Sequence, residues 1–520
     1  MLSASWLSAC STEFGDPRMD STSSASRPLL PAACPSLVLL LTFWPSLALY
    51  LVALVLPYNL FAHTAHAPIS LPEIAHRETL PAASFLLTFL TLFGLYILAY
   101  QTCRRHPSRR LVPLILLSGL TFVLLLSFAY PVGAGDVVDY ASHGEELAYF
   151  GTNPLVVPPA DVPGTTFARY SAFRHTTPNY GPLWIWISGL VVGTLGRESL
   201  LLNLLGFKAV AIAAYLAQAL LIYAVLRRRN PALAPAGLLF FAWNPLVLYE
   251  FVVNGHNDAV MMAFALLGIL LWDLGRPLPM VAALTCSFLV KVPTAPLLPL
   301  FLLAAARRRD SGRAFWSTFI VGGLLALGLV GLAYLSLPDP VAALANLSDR
   351  SNLFTHSPPA VVNLVLQLGG MERATAQTVA WTAALLALAA WYTLQLARTW
   401  RTPTGILRHA YDFILFLLLL TTPWFQPWYV TWLVALAALF PHPAAPTQAG
   451  LFSLTVIFSY VVYGFAWFWI PHVANWGRCL GINLIAVATT YLVPWAYTAW
   501  LWLRSRGWTA RPSARAVSKR

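Results

Sequence analysis

Apolar runs of roughly twenty residues recur from residue 36 to residue 503, and no other feature limits the folding of this chain so severely. A run of that length, coiled as an α-helix, crosses about 30 Å of hydrocarbon. Inside hydrocarbon a backbone has no water to bond, so such runs must satisfy their own amides as helices. With 58% of residues hydrophobic and 10% charged, the chain reads as an all-α polytopic membrane protein.

The apolar runs fall near 36–56, 83–102, 111–130, 204–226, 233–253, 256–274, 278–290, 294–306, 314–337, 376–397, 409–424, 427–440, 451–471 and 480–503. These make a bundle of about 12–14 transmembrane helices. The 278–306 pair is short for two full crossings and reads as a hairpin with its tip, Lys291-Val292-Pro293, sunk below the surface. A further apolar stretch, Pro182 to Leu195, breaks the parity of crossings and is expected in the interface, where Trp184 and Trp186 suit a wet–dry boundary.

The net charge of +13 does not point to nucleic acid, because the cations sit in short loops between runs. Arg104, Arg105, Arg109 and Arg110 form one cluster; Arg227 to Arg229 and Arg307 to Arg309 with Arg313 form two more. Arg398, Arg401, Arg408 and the tail from Arg504 continue the series. Under the positive-inside rule these loops are cytoplasmic, as are both termini, and the long acidic loop 131–203 is extracytoplasmic. Residues 1–35 read as a disordered cytoplasmic N-terminus, 36–503 as one transmembrane domain and 504–520 as a basic cytoplasmic tail. Met19 is an alternative start to Met1, and the five scattered cysteines form no close pair with metal or redox spacing.

Four polar clusters are expected on the outer side. The first begins at Gly135-Asp136-Val137-Val138-Asp139-Tyr140, continues through His143, Glu145 and Glu146 to Gly151-Thr152-Asn153-Pro154, and ends at Asn179-Tyr180-Gly181-Pro182. The second is Asn254-Gly255-His256-Asn257-Asp258, after Trp243-Asn244-Pro245 and Glu250. The third is Lys291, with no other lysine between Lys208 and Lys519; the fourth is Gln426-Pro427-Trp428-Tyr429. Each has a plain structural alternative. The acids would be a solvated loop, Asn254 to Asp258 a helix cap, Lys291 a snorkelling side chain, and Trp428 and Tyr429 interfacial anchors.

Taken together, the clusters suit one chemistry. A carboxylate within reach of a hydroxyl acts as a general base. A lysine steadies a departing phosphate. Asn, Asp, His and Gln side chains meet sugar hydroxyls, and aromatic faces meet the sugar's C–H side. The set fits a transferase moving a sugar from a polyprenyl-phosphate carrier, entering laterally between helices, to an extracytoplasmic glycan or glycolipid acceptor.

The ordered motifs Asp136-Val137…Tyr140-Ala141…Gly144, Gly151-Thr152-Asn153-Pro154, Tyr180-Gly181-Pro182-Leu183-Trp184, His256-Asn257-Asp258-Ala259-Val260-Met261, Val290-Lys291-Val292-Pro293 and Gln426-Pro427-Trp428-Tyr429 resemble those of the bacterial polyprenyl-phosphate-mannose-dependent mannosyltransferases. Within the GT-C superfamily they resemble the α-(1→6)-mannosyltransferases of lipomannan assembly, over residues 36 to 503. The resemblance implies a GT-C-like bundle with a catalytic first outer loop containing an interface helix. It also implies an essential aspartate at the position of Asp136 and inverting transfer from a β-linked mannosyl phosphate. Lys291 is then expected to hold the donor phosphate. His256, Asn257 and Asp258 are expected to orient sugar or phosphate, while Tyr180, Trp428 and Tyr429 line the groove. Asp139, Tyr140, Asn153 and Gln426 complete the expected binding set. The family's Asp-Val-Tyr-Ser-Tyr stands here as Asp136-Val137-Val138-Asp139-Tyr140, and His143 replaces a common glutamine. Asp139 is thus open to three roles: a second acid, a competing base, or a partner of Asp136 in holding a divalent cation; no cofactor is otherwise implied. Other readings to be weighed are a transporter or flippase with a relay of Lys291, Asp258 and Glu250, and a scaffold subunit. Within the enzyme class, a lipid-A-type aminosugar transferase and a protein O-mannosyltransferase remain.

Overall fold

The computed structural model describes residues 34–509, apart from 66, 68, 69, 346–352 and 470–474. The expected N-terminal segment, except its last two residues, and the tail beyond 509 lie outside the described residues. Where it is described, each apolar run identified in the sequence is mainly helical, and among the described residues the only β-type pairings are two isolated bridges. Among the described residues eight helices are long and apolar enough to cross a membrane: Pro35–Val55, Thr79–Arg105, Leu200–Arg229, Gly312–Leu335, Arg373–Arg401, Pro403–Thr421, Ala444–Trp469 and Leu480–Arg504. The remaining runs are shorter, among them Leu111–Leu126, Asp258–Asp273, Pro277–Val290 and Pro427–Ala437. This is an all-α polytopic membrane protein.

Three breaks in the helical regularity place the site. The first is a 50° bend between Pro231–Ala242 and Pro245–Val253. Pro245 cannot continue the first helix, and the Asn244 side chain caps the second by accepting from the amides of Leu246 and Val247. The second helix ends in a π-turn, Tyr249–Val253, a wider, underwound turn often found at functional sites. It places Glu250, fully buried, inside the bundle.

The second break is the hairpin expected from the sequence. Pro277–Val290 and Leu297–Arg307 meet at a 3-10 turn, Val292–Thr294. Lys291 at its tip is only 6% exposed, while the next residue, Val292, is exposed.

The third lies between the helix Leu111–Leu126 and the span Leu200–Arg229. Residues Asp136–Phe150 form a loop helix, which stops where Gly151 adopts φ 61°. Asp136 and Asp139 occupy its first turn, where free amides favour negative charge. The loop helix packs against the interface helix, Pro182–Leu195, at glycine: a Cβ on Gly144 would collide with the Ser188 carbonyl. The N-terminus of the interface helix is hooked to the hairpin tip, since the Gly181 amide donates to the Val290 carbonyl at 2.9 Å. A side chain on Gly181 would strike the Leu289 backbone. One consequence departs from expectation. Trp186 is 42% exposed, but Trp184 is buried against Tyr140 and Phe207, because its face of the helix turns to the loop helix rather than outward.

Candidate active site

Three of the four expected clusters, the first, third and fourth, line a single cavity of about 210 Å³. Asp136, Asp139, His143, Tyr180, Lys291, Gln426, Trp428 and Tyr429 all line it, with Phe173, Asn179 and Trp424. The residues come from the loop helix, the segment before the interface helix, the hairpin tip and the turn at 424–429. No two of these are neighbours in sequence, so the long loop and the helical breaks must all be in place to build the site.

Asp136 presents a side chain that is 14% exposed. Its Oδ2 lies 3.5 Å from His256 Nδ1, an ion-pair distance longer than a well-made hydrogen bond. Burial pushes the Asp136 carboxyl up, but His256, Lys291 and Tyr180 together outweigh it and hold the group below the ordinary carboxylate range. Asp139 moves the other way, to about 6, because burial and the neighbouring Asp136 charge both oppose its ionisation. Its Oδ1 accepts from the Ser171 hydroxyl at 2.5 Å. Two acids one helical turn apart are thereby shifted in opposite directions, so that Asp139 takes up a proton at a higher pH than Asp136.

Lys291 Nζ donates to Asp258 Oδ2 at 2.8 Å, and the other oxygen of Asp258 accepts from Trp432 Nε1 at 2.7 Å. The ammonium also sits 5.0 Å from the centre of the Tyr429 ring. An ammonium has three donors, so the Asp258 pairing leaves others for a ligand in the cavity.

The second cluster stands behind the cavity wall. His256, Asn257 and Asp258 are all fully buried and none lines the cavity. His256 stacks beneath Trp428, ring centres 4.1 Å apart at 22°, and its Nε2 lies 3.4 Å from Glu250 Oε2. The Asn257 amide N–H donates to the Tyr140 hydroxyl at 3.3 Å. Direct contact of these three side chains with a ligand, expected from the sequence, is thus corrected to support of Asp136 and Lys291 from behind. Tyr140 joins this layer, fully buried against Tyr180 and Trp184. A simple cap does not account for Asn254: it accepts from the Gly133 amide and donates to Glu250.

Asn153 is not part of the cavity. Its side-chain NH2 donates to the Pro338 carbonyl at 2.6 Å and its Oδ1 accepts from the Leu155 amide, tying the long loop together. Glu145 and Glu146 are fully buried rather than solvated. Glu145 accepts from the amides of Thr166 and Phe167, and Glu146 lies 3.3 Å from His143. Trp428 and Tyr429 are not exposed anchors, since both face the cavity. Among the described residues no group of three or more His, Cys, Asp or Glu side chains is arranged to hold a metal ion. Asp136 and Asp139 turn instead to His256 and Ser171.

The sequence placed Glu250 only beside the second cluster and in the transporter relay, and gave no sign of Tyr460 or Trp432 as members of the site. Tyr460 donates to Glu250 Oε1 at 2.5 Å. An isolated acid in an apolar run, such as Glu250, was the available signal; nothing local marks Tyr460 or Trp432. A second cavity, of about 570 Å³, adjoins the first and shares Trp424 and Tyr429 with it. Its wall is mostly apolar and includes Val292, Pro293, Trp381, Leu385 and Leu388.

An α-(1→6)-mannopyranosyltransferase A of Corynebacterium glutamicum is 28% identical over 34% of this chain and 36% of its own length. An α-(1→6)-mannopyranosyltransferase of Mycobacterium tuberculosis is 29% identical over 28% of this chain and 25% of its own. The α-(1→6)-mannopyranosyltransferase A of that organism is 25% identical over 67% of this chain and 70% of its own. The chain thus spans about a third or less of the length of the first two relatives. The family model described as "Alpha-(1->6)-mannopyranosyltransferase, N-terminal domain" matches residues 46–307, which hold Asp136, Tyr180, His256 and Lys291. That match takes in just over half of the chain, which therefore belongs to the α-(1→6)-mannopyranosyltransferase family.

Proposed function

We propose that this protein is a membrane mannosyltransferase that moves a mannosyl unit from a polyprenyl-phosphate donor to a hydroxyl of an extracytoplasmic glycan or glycolipid, with inversion. One observation carries the reading: the carboxylate of Asp136 and the ammonium of Lys291 face one small polar cavity that adjoins an apolar groove. The relatives' names supply the sugar and the linkage class.

The chemistry follows from those positions. The donor's phosphate lies by Lys291, and its prenyl chain runs along the groove past Val292, Leu385 and Leu388. The acceptor enters from the side of Asp139, Phe173 and Asn179. Asp136 takes the proton of the attacking hydroxyl as its oxygen bonds the anomeric carbon. The bond from that carbon to the phosphate oxygen breaks, and the electron pair leaves with the phosphate. General-base catalysis of this kind contributes about 10²–10⁴-fold.

The side of the membrane rests on charge. Arg104 and Arg105, Arg227 to Arg229, and Arg398 with Arg401 close their helices at one end. By the positive-inside rule that end is cytoplasmic, which leaves the acidic loop outside. The test is transfer of label from polyprenyl-phosphate mannose to a panel of short mannosides by the protein in lipid. Labelled product supports the reading. Movement of the labelled lipid across the bilayer with no new glycosidic bond contradicts it and favours a transporter.

A further inference from the structure

We propose that Glu250 is a positioning residue of the transfer reaction, acting through His256 to hold Asp136 in place and ionised. The inference rests on the transferase reading above. Glu250 touches neither cavity. It is fully buried, yet each of its oxygens is fixed: Oε1 accepts from the Tyr460 hydroxyl, and Oε2 accepts from Asn254 Nδ2 at 2.9 Å and meets His256 Nε2 at 3.4 Å. Asn254 in turn holds the Gly133 amide, three residues ahead of Asp136, so the acid and the start of the catalytic loop share one anchor.

His256 has little freedom of its own. Its amide bonds the Glu250 carbonyl at 3.1 Å, and Trp428 stacks on its ring. Both ring nitrogens face carboxylates, Asp136 on one side and Glu250 on the other. A buried carboxylate is strongly disfavoured without a cation, and His256 is the group that can carry one within ion-pair reach of Glu250 among the described residues. The other charged or titratable groups facing this pair are Asp258 and Lys291, already bonded to one another, Asp139 on the next turn, and the hydroxyls of Tyr180, Tyr249, Tyr429 and Tyr460. A carboxylate within ion-pair distance of each ring nitrogen favours the charged imidazolium over the neutral ring.

A doubly protonated His256 cannot accept the acceptor's proton. The proton therefore stays on Asp136 until product leaves, and His256 acts as a fixed cation. Removing the Glu250 charge lets His256 lose its own. Asp136 then loses a neighbouring cation, its carboxyl rises, and the ionised base appears only at higher pH.

The test uses the full chain in lipid nanodiscs, comparing wild type, Glu250→Gln and Glu250→Asp. Glu250→Gln is expected to move the acid limb of kcat up by about one pH unit, a tenfold loss on that limb, with KM for the donor unchanged. Glu250→Asp keeps the charge and should restore the limb. A Glu250→Gln enzyme with lower kcat but an unmoved limb, or with wild-type kinetics, would overturn the proposal. If Glu250→Gln fails to fold, ¹³C-histidine NMR of the wild type decides: an imidazolium at His256 persisting above pH 8 supports it, and a neutral ring at pH 7 refutes it. If wild type transfers to no acceptor, the transferase reading falls, and the same titration still reports whether Glu250 keeps His256 charged.

Discussion

Replacing Lys291 with methionine keeps the apolar stem against Tyr429 and Trp432 but removes the ammonium. Asp258, fully buried, then retains only the Trp432 bond on one oxygen. Breaking a buried pair from one side costs about 3–5 kcal/mol, most of it the stranded charge. Asp258→Asn alone should cost less, about 1–3 kcal/mol, because Lys291 borders the cavity and can reach water. The double variant strands no charge. It should therefore be more stable than the sum of the single losses by about 2 kcal/mol or more. Denaturant unfolding in mixed micelles, read by tryptophan fluorescence, closes this double-mutant cycle. Additivity within about 0.5 kcal/mol would refute the coupling. Transfer separates the second role of Lys291: the double variant should remain inactive despite its recovered stability, because no cation is left for the leaving phosphate. Wild-type kcat in the double variant would refute that role.

Other expectations follow from the same contacts. Asp139 is raised to about 6 by burial and by Asp136, so folding favours its protonated form. Its contribution is full below the unfolded pKa and lost as pH rises through about 6. Asp139→Asn, which can keep the Ser171 bond, should therefore be more stable than wild type at pH 8, by up to about 2–3 kcal/mol, and no more stable at pH 4; a pH series of unfolding curves checks this. Leu388→Trp fills the apolar groove and should raise KM for a long-prenyl donor while leaving a short-chain donor unaffected, measured by parallel kinetics with both donors. Gly181→Ala should drive the interface helix off the hairpin tip and cost about 1–3 kcal/mol by overpacking, with a matching loss of donor affinity in binding assays.

The helices were legible because hydrocarbon permits little else, and the turn of Lys291 because two prolines and a lysine interrupt an apolar run. Asp136, Tyr180, Lys291, Gln426, Trp428 and Tyr429 were legible as a set because polar side chains are rare in this chain and cluster where helices end. Depth was not. His256, Asn257 and Asp258 have the composition of a ligand-binding turn, and only the packing of Trp428 and Trp432 over them shows that they stand behind the wall. Asn153 follows a glycine like a binding-loop residue, yet its amide serves a carbonyl 185 positions away. Glu145 and Glu146 look solvated in a loop; the glycine-mediated packing of the loop helix buries them. Partners that distant in sequence leave no local pattern, which is also why Tyr460 was invisible until Glu250 was seen to need a donor.

The central claim is that Asp136 is the base of a mannosyl transfer from a lipid phosphate. The most direct measurement follows radiolabelled polyprenyl-phosphate mannose bound to wild type and to Asp136→Asn in nanodiscs, before and after a mannoside acceptor is added. The account predicts equal donor binding by both proteins, and label passing to the acceptor with wild type alone. Transfer by Asp136→Asn at the wild-type rate would contradict it.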